Sequence, residues 1–484
     1  MAKLADVVAT CGLLAVVGLA GCRNEPSGED DTDAAPPPDM ASSQADLATQ
    51  AMPVILEVEP SRARNTGGTR LTITGENFQR GATVRVGGIV AQDATVESHT
   101  RIALTVPAKA MSCGPADIEV RNPNGLSASR GDLFRYLSAM LGFGDAVLVS
   151  TASTPRMVQL ADLNGDGKLD LISANSVGMA AVVRLGNGNG TFANPMQVTA
   201  GGSPMAVAVG DANGDRKPDL FIVNNHTNNV TVRPGNGDGT FAMGSNVTVG
   251  AGPFAIALGD LNGDGKLDMA VANNGSSNVS VSLGNGDGTF GMALSAVGVG
   301  QRPTGIALGD LNGDGKLDMV TANNSAGEIT VRLGNGNGTF QSAASPSVGQ
   351  KPWGVVLSDL NGDGRLDVVV SNEGSNDISV LLGKGDGTFM APVHHAAGTA
   401  PRGLVVADLD GDGKLDIAAS NFNAGHATVL LGQGNGQFTP AANIMLNTQP
   451  GSLAVGDLNG DGLMDIVATR QDSSDIVVRL GRCL

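Results

Sequence analysis

Aromatic residues, histidine and cysteine are all scarce in this chain. Of its 484 residues only 3% are aromatic, with one Trp and one Tyr, and there are five His and four Cys. The one adjacent pair of histidines, His394 and His395, lies in a predicted connection without a matching cluster of carboxylates. Two adjacent histidines in a loop are usually solvated and have no catalytic role. We therefore predict no catalytic residues and no enzymatic activity.

The N-terminal apolar run is too short to span a bilayer by itself. It extends from Leu13 to Ala20, with Lys3 before it and small residues just before Cys22, which is the pattern of a signal peptide over residues 1–21. The stretch LAGC, Leu19–Cys22, resembles a bacterial lipobox, and this resemblance implies cleavage before Cys22 and acylation of that residue. The alternative is an ordinary secretory signal, in which Cys22 has no role.

Arg23 stands where similar lipoproteins often have an Asp that retains them in the inner membrane. We therefore expect an exported protein that is lipid-anchored at the bacterial outer membrane, on its periplasmic or its outer side. Residues 22–52 are acidic and rich in Pro, so we expect a disordered tether. With Cys11 in the signal and Cys22 acylated, the remaining cysteines are Cys113 and Cys483, which the sequence leaves open as a disulfide or as two thiols.

Residues 53–137 consist of short alternating apolar runs separated by Gly, Asn and Pro, which predicts a β-sandwich. The stretch PSRARNTGGTRLTITGENF, from Pro60 to Phe78, and VRVGG from Val84 resemble the IPT/TIG domain, an immunoglobulin-like module. The resemblance implies either a spacer, which we favour, or a binding domain.

Glycine, in contrast, is the commonest residue, with 70 copies, and much of it lies in a repeat. The stretch DLNGDGKLD or a close variant recurs every 49 or 50 residues, and each unit contains four runs typical of β-strands. This content predicts a β-propeller with one four-stranded blade per repeat. The first Asp residues of the seven copies are Asp162, Asp211, Asp260, Asp310, Asp359, Asp408 and Asp457.

A repeated phenylalanine predicts how the ring closes. A Phe follows the first Asp by 30 residues in six copies, and in the seventh the chain ends before that position. Phe143 precedes Asp162 by 19 residues, so residues 143–151 would supply the missing fourth strand of the last blade. We predict an all-β protein, with a seven-bladed propeller over residues 143–484 and the repeated Phe packed between neighbouring sheets.

Each repeated loop has oxygen-bearing side chains at positions 1, 3, 5 and 9, usually with Gly at position 6. A turn with alternating oxygen ligands suits Ca²⁺, and the absence of Cys and His from the loops makes zinc a poor fit. An EF-hand would need Glu at position 12, where the three identical copies have Ser173, Val271 and Thr321. The loops instead resemble FG-GAP/VCBS repeats, the calcium-binding blades also found in the integrin α-chain propeller, and the resemblance covers residues 143–484.

The resemblance implies up to seven Ca²⁺ ions, each held by the side chains at positions 1, 3, 5 and 9 and by the backbone carbonyl at position 7. Arg216 and Pro218 depart from the pattern and would weaken the second site, whereas Asp410 in place of Asn would tighten the sixth. The ligands are Asp162, Asn164, Asp166, Lys168 and Asp170; Asp211, Asn213, Asp215, Lys217 and Asp219; Asp260, Asn262, Asp264, Lys266 and Asp268; Asp310, Asn312, Asp314, Lys316 and Asp318; Asp359, Asn361, Asp363, Arg365 and Asp367; Asp408, Asp410, Asp412, Lys414 and Asp416; and Asp457, Asn459, Asp461, Leu463 and Asp465.

Charge is consistent with these sites. The formal net charge is −17, and 22 of the 47 acidic residues are loop ligands, so the acidity mostly reflects metal loading rather than a basic partner. We expect no nucleic-acid partner and a monomeric chain. We also expect the ions to be structural, because several weak sites together can stabilise a fold substantially.

The copies differ at the residue that follows a Pro placed seven residues before each first Asp. These residues would surround one mouth of the central channel, opposite the calcium loops, and varied large side chains on a rigid ring are typical of a binding surface. A second ring of Asn at the end of strand two, with Arg470 in the seventh copy, is interpreted as turn caps in preference to ligand contacts. The varied residues are Arg156, Met205, Phe254, Thr304, Trp353, Arg402 and Gly451.

Three functions fit these patterns. The favoured one is an adhesion or binding module that recognises an unknown protein or glycan through this face. The alternatives are a purely structural envelope scaffold and, less favoured, a polysaccharide-processing enzyme. The low aromatic content argues against a lectin with one stacking site per blade.

Overall fold

The computed structural model describes residues 51–109, 113–137, 141–151 and 153–483. The predicted signal peptide, most of the tether and Cys22 lie outside the described residues. The described residues form strands and turns and no helix, so they contain no helix that could cross a membrane. The chain divides into two compact units, a smaller one carrying strands β1–β11 and a larger one carrying β13–β41.

The smaller unit is a β-sandwich, as the alternating pattern predicts. Its sheets have the strand orders β1-β3-β7-β6, β10-β9-β4-β5 and β2-β11-β8. Alternate residues such as Ile73, Ile102, Val84 and Ile118 are fully buried between the sheets. The strands are β1 Val54–Glu59, β2 Arg62–Arg64, β3 Arg70–Glu76, β4 Thr83–Val86, β5 Ile89–Val90, β6 Thr95–Ser98, β7 Arg101–Thr105, β8 Gly114–Pro115, β9 Ile118–Arg121, β10 Ser127–Arg130 and β11 Arg135–Leu137.

The larger unit contains seven antiparallel sheets within the described residues, six with four strands and one with five. In chain order they consist of β14 Pro155–Ala161, β15 Asp170–Asn175, β16 Ala180–Arg184 and β17 Met196–Thr199; β18 Pro204–Gly210, β19 Asp219–Asn224, β20 Asn229–Arg233 and β21 Ser245–Thr248; β22 Pro253–Gly259, β23 Asp268–Asn273, β24 Asn278–Ser282 and β25 Val297–Gly298; β26 Pro303–Gly309, β27 Asp318–Asn323, β28 Glu328–Gly334 and β29 Phe340–Ser342; β30 Pro352–Ser358, β31 Asp367–Asn372, β32 Asp377–Leu381 and β33 Val393–Ala396; β34 Pro401–Ala407, β35 Asp416–Asn421, β36 His426–Gly432, β37 Phe438–Pro440 and β38 Ile444–Met445; and β39 Pro450–Gly456, β40 Asp465–Arg470 and β41 Asp475–Arg479, joined by β13 Val147–Ser150.

The ring closes by pairing the two ends of this unit. Strand β13 pairs antiparallel with β41, which supplies the last sheet with its fourth strand. The first strands contact one another in a closed circuit, from β14 through β18, β22, β26, β30, β34 and β39 back to β14. This is the arrangement of a β-propeller. The remaining strands, β12 Leu141–Phe143 and β42 Gly481–Cys483, pair with each other.

The core lies between neighbouring sheets. The second strand of each of the first six sheets is buried at all six of its residues, because apolar side chains on both of its faces meet a neighbouring sheet. The repeated Phe residues pack against these clusters and are half-buried, except Phe438, which is buried.

Candidate functional site

The propeller presents two chemically different faces. Each first strand begins at the repeated Pro and ends at a repeated nine-residue loop, about 20 Å away at the usual rise per residue. We call the side with the loops the loop face and the side with the Pro residues the pocket face. The loops span residues 162–170, 211–219, 260–268, 310–318, 359–367, 408–416 and 457–465.

On the loop face, the first Asp of a loop organises the turn through backbone hydrogen bonds. Asp162 accepts N–H groups from Gly165 at 2.8 Å and Asp166 at 3.2 Å on Oδ1, and from Gly167 at 2.8 Å on Oδ2. Gly165 and Gly167 have φ of 73° and 79°, a left-handed conformation that favours glycine. The same pattern recurs in the third, fourth, fifth and seventh loops.

The ninth position of each loop is a buried Asp. Asp318 is fully buried, and its carboxylate accepts N–H groups from Leu311 at 2.9 Å and Gly334 at 2.7 Å. Burial, together with repulsion from the loop carboxylates Asp314 and Asp310, raises the pKa of Asp318 to about 6. Asp465 is held in the same way and its pKa is also raised to about 6. A buried carboxylate beside two others creates a local demand for positive charge.

The sixth loop brings its carboxylates closest together. Ligand atoms of Asp408, Asp410 and Asp416 all lie within 4.8 Å of one another, the one group of three His, Cys, Asp or Glu side chains in the described part of the chain that does so. Every donor in this group is a carboxylate oxygen, which is the chemistry that Ca²⁺ prefers. The residues present therefore fit a hard cation, and they do not fit zinc.

The second loop carries backbone strain. Arg216 has a φ of 65°, whereas glycines stand at the corresponding positions of the other loops, with Gly265 at 77°. Its N–H still donates to Asp211 Oδ2 at 2.7 Å, so the turn keeps its hydrogen bond in an unfavourable backbone conformation.

On the pocket face, the structure brings the varied residues together. All seven line a single cavity of about 110 Å³ that is partly open to solvent. The cavity also includes Ser452 and Gln471. The seven residues are Arg156, Met205, Phe254, Thr304, Trp353, Arg402 and Gly451.

Arg402 is the centre of an aromatic and ionic cluster in this pocket. Its guanidinium carbon lies 4.4 Å from the ring centroid of Trp353 and 3.6 Å from that of Phe422. Its Nη2 donates to Glu373 Oε1 at 2.8 Å. Trp353 in turn meets Phe254 edge to face, with centroids 5.5 Å apart. The cluster is therefore fixed by stacking and by one ion pair.

Arg156 has neutral partners instead. Its Nη1 donates to Gln471 Oε1 at 2.9 Å, across 315 residues of sequence, and its Nε donates to Ser176 Oγ at 3.2 Å. Burial lowers the pKa of Arg156, and repulsion from Arg402 lowers it further. The pocket thus contains two guanidinium groups that repel each other.

The ring of Asn residues is structural. Asn175, Asn224, Asn273, Asn323, Asn372 and Asn421 are all at least 99% buried. In five of them Nδ2 donates to a Ser or Thr hydroxyl on the third strand at 2.8 to 2.9 Å, and in Asn175 it donates to the Thr151 carbonyl at 3.1 Å. These contacts leave the Asn side chains unavailable to a ligand. Arg470 in the seventh sheet lies 3.7 Å from Asp475.

Sequence reasoning missed the residues that hold the two arginines. Glu373, Phe422, Gln471 and Ser176 each directly follow the Asn or Arg that ends a second strand. In the other three copies the same position is Asn, and Asn225 and Asn274 donate to the carbonyl of a Pro in the next blade. Comparing the seven copies at the position after the second strand would have identified these four residues, because they differ from the Asn of the other copies.

The predicted position of the histidine pair was wrong. His394 and His395 lie on the fourth strand β33, not in a connection. His394 Nδ1 is 3.1 Å from Ser379 Oγ and 3.8 Å from Asp377 Oδ1. Because both groups face the same ring nitrogen, His394 does not link them as the His of a catalytic triad does. Burial lowers the pKa of His395, and charge repulsion from His394 lowers it further.

Cys113 and Cys483, left open by the sequence, form a disulfide in the structure, with Cα atoms 5.6 Å apart.

Comparison with known families agrees with the repeat. An FG-GAP-like repeat model matches residues 162–222, 211–271, 260–321, 310–370, 359–419 and 413–468. The chain belongs to the FG-GAP repeat family. An IPT/TIG domain model matches residues 53–136 of this FG-GAP protein. Both resemblances predicted from the sequence are thereby confirmed.

Several solved structures are similar to this FG-GAP protein, and no curated protein matches it. A crystal structure of BBS1N in complex with ARL6DN is 13% identical over 71% of this chain and 98% of that chain, with a TM-score of 0.52. An Agrocybe aegerita lectin that recognises non-reducing terminal N-acetylglucosamine is 23% identical over 69% of this chain and 97% of that chain, with a TM-score of 0.45. An auxiliary nutrient binding protein from Bacteroides ovatus is 14% identical over 90% of this chain and 99% of that chain, with a TM-score of 0.40. At 13% identity the BBS1N structure shows a shared fold alone.

Proposed function

We propose that this FG-GAP protein is a calcium-stabilised, lipid-anchored binding module of the bacterial cell envelope, which recognises a protein or glycan through the pocket face. One observation carries the proposal. The varied residue that follows the repeated Pro lines the same cavity in all seven copies, although these residues are spread over residues 156–451. Selection for packing alone would not require these positions to differ, whereas recognition of an asymmetric ligand does.

The proposal assigns the loops to stability and not to recognition. The side chains at positions 1, 3, 5 and 9, with the carbonyl at position 7, would hold Ca²⁺, which would neutralise the loop carboxylates. Extracellular-type sites have dissociation constants of about 10⁻⁴ to 10⁻³ M, so at ~1 mM calcium each would contribute roughly 0.4–1.4 kcal/mol. Summed over seven loops, this is about 3–10 kcal/mol, as much as the whole stability of many domains.

Anchoring would place the module at a membrane surface. Cleavage before Cys22 and acylation of Cys22 would attach the chain by lipid, and more than one acyl chain is needed for stable anchoring. The acidic segment up to residue 52 would then act as a tether and the IPT/TIG domain as a spacer. Mass spectrometry of the mature N-terminus tests this directly. An unmodified Cys22 in the membrane fraction would contradict it.

The recognition function is tested with the full chain in calcium-containing buffer. A glycan array and a pull-down from envelope extracts are run with the natural protein and with Trp353→Ala, because Trp353 is half-buried in the pocket. Arg332→Gln is the control, since Arg332 donates to the Gly298 carbonyl at 2.6 Å, outside the pocket lining. We expect a ligand that the control retains and Trp353→Ala loses. Absence of any specific ligand would favour a purely structural scaffold, and turnover of a polysaccharide would favour an enzyme.

A further inference from the structure

The charge of the pocket is unusual for this protein. The lining contains two arginines and no acidic residue, whereas the chain as a whole has a net charge of −17. Arg402 is paired with Glu373 behind the lining. In the described part of the chain Arg156 has no carboxylate partner, only Gln471 and Ser176. A guanidinium that is largely removed from water without a counter-ion is costly, so the pocket is suited to an incoming anion.

The blade between the two arginines contributes small first-strand residues to the lining. Arg402 belongs to the sixth blade and Arg156 to the first, and the seventh blade contributes Gly451 and Ser452. A Cβ on Gly451 would lie 2.2 Å from Nε2 of Gln471, so a side chain here would displace the residue that orients Arg156. Glycine at position 451 therefore allows Gln471 to pack beside it and to accept the hydrogen bond from Arg156.

The other lining groups match a sugar better than a peptide terminus. Ser452 and Gln471 place a hydroxyl and an amide in the lining, where the amide orients Arg156, and Trp353 adds an apolar ring that packs on Arg402. A peptide carboxylate is commonly captured by free backbone N–H groups. In this pocket the varied residues lie at β-bulges, as Arg156 does between Pro155 and Met157. In three blades a backbone N–H at the bulge already donates to a Ser or Thr hydroxyl of the second strand, from Gly354, Gly403 and Ser452. The charged and aromatic groups of the pocket come from side chains.

We propose that the pocket binds the carboxylate of an acidic saccharide, a uronic acid, between the guanidinium groups of Arg156 and Arg402, with Trp353 against the sugar ring. This deepens the proposed function and rests on it, because it names the ligand class of the same pocket. Guanidinium groups bind carboxylates through paired hydrogen bonds, which gives both affinity and orientation. The aromatic contact adds the apolar face of the sugar to the recognised surface.

The test is isothermal titration of the full chain, in calcium-containing buffer, with trigalacturonate and with its methyl ester. The ester keeps the sugar and removes only the charge. We expect the natural protein to bind the acid at least tenfold more tightly than the ester, and the affinity to fall as salt is added. Arg156→Gln should lose at least tenfold in affinity for the acid, and Arg156→Lys should lose less. Arg332→Gln, which leaves the pocket intact, should bind as the natural protein does.

Melting temperatures show whether each variant is folded. If Arg156→Gln is not folded, the inference is decided by the affinities of the natural protein for the acid and for its methyl ester. Equal affinity for acid and ester would overturn the inference. The inference would also be overturned if the protein bound a tripeptide with a free C-terminal carboxylate, did not bind the corresponding tripeptide amide, and did not bind trigalacturonate. No binding of trigalacturonate, with another ligand found on the array or in the extract, would overturn this inference and leave the proposed function standing. The proposed function itself fails only if the array and the extract also yield no ligand.

Discussion

The two faces of the propeller differ in how much the repeats agree. On the loop face, one Asp-rich turn recurs with the same hydrogen bonds, as Asp260 and Asp310 show in accepting the N–H of Gly263 and Gly313 at 2.7 Å. On the pocket face, equivalent positions carry residues as different as Trp353 and Gly451. The first strand has seven residues and begins at a Pro in every blade, so the difference lies in what the side chains are required to do.

The uniform loop face and the varied pocket face therefore have different tasks, stability and recognition. A closed ring needs every blade to be equally stable, which a repeated turn with buried carboxylates can provide. A ligand without rotational symmetry needs unequal contacts, which the varied ring provides. If this division is correct, substitutions on the loop face change stability and leave binding unaffected, and substitutions on the pocket face do the opposite.

Removal of calcium should have the largest effect. We expect the chelator EGTA to lower the melting temperature by about 5–20 °C relative to ~1 mM calcium, from the summed contribution of seven weak sites. Differential scanning calorimetry of the full chain measures the shift, and metal analysis counts the ions. An unchanged melting temperature, or fewer than about five bound ions per chain, would contradict a structural role for calcium.

A single buried loop carboxylate should matter next. In Asp318→Asn the amide nitrogen would face one of the two backbone N–H donors that now point at the carboxylate, so we expect a loss of about 1–3 kcal/mol in unfolding free energy. The matched control is Asp287→Asn, which removes the same charge from an exposed hairpin where Asp287 accepts the Thr289 N–H at 2.9 Å. Urea unfolding compares the two. Equal losses would show that charge, and not burial, decides the effect.

Relief of backbone strain in the second loop should be smaller and of opposite sign. Arg216→Gly removes a side chain from a left-handed conformation, so we expect a gain of roughly 1 kcal/mol in unfolding free energy. Gly265→Ala is the reverse change in the third loop, where a Cβ would meet nothing within 4 Å and only the backbone conformation opposes it. Urea unfolding should show a loss of similar size there. A destabilised Arg216→Gly would contradict the strain interpretation.

A pocket substitution should have the smallest effect on stability. Met205 is half-buried in the pocket lining, so Met205→Ala should change the melting temperature by no more than about 2 °C. The ligand found in the array or the extract should bind it more weakly than the natural protein. A large loss of stability with unchanged affinity would assign Met205 to packing instead of recognition.

Much of the fold could be predicted from the sequence because the same pattern of residues occurs in seven copies. The spacing of the Asp residues gave the number of sheets, and the position of Phe143 indicated that the N-terminal strand completes the last sheet, where β13 pairs with β41. The ring of varied residues was predicted for the same reason. Each first strand runs seven residues from the Pro to the residue before the first Asp, so the residue after the Pro lies at the end of the strand opposite the loop.

The contacts inside the pocket could not be predicted in this way. The bond between Arg156 and Gln471 forms only after the ring closes, since the two residues are 315 positions apart. The stacking of Arg402 on Phe422 depends on side-chain rotamers, which periodicity does not report. The histidine strand β33 was missed because the fourth strands are short and exposed, so their apolar pattern is weak.

The division between the faces is tested most directly by two variants measured in two ways. Arg156→Gln and Asp318→Asn are compared with the natural protein by calorimetric unfolding and by titration with trigalacturonate, both in calcium-containing buffer. We predict that Arg156→Gln loses at least tenfold in affinity with a nearly unchanged melting temperature, and that Asp318→Asn loses stability with a nearly unchanged affinity. Loss of affinity in Asp318→Asn, with Arg156→Gln binding normally, would contradict the assignment of recognition to the pocket face.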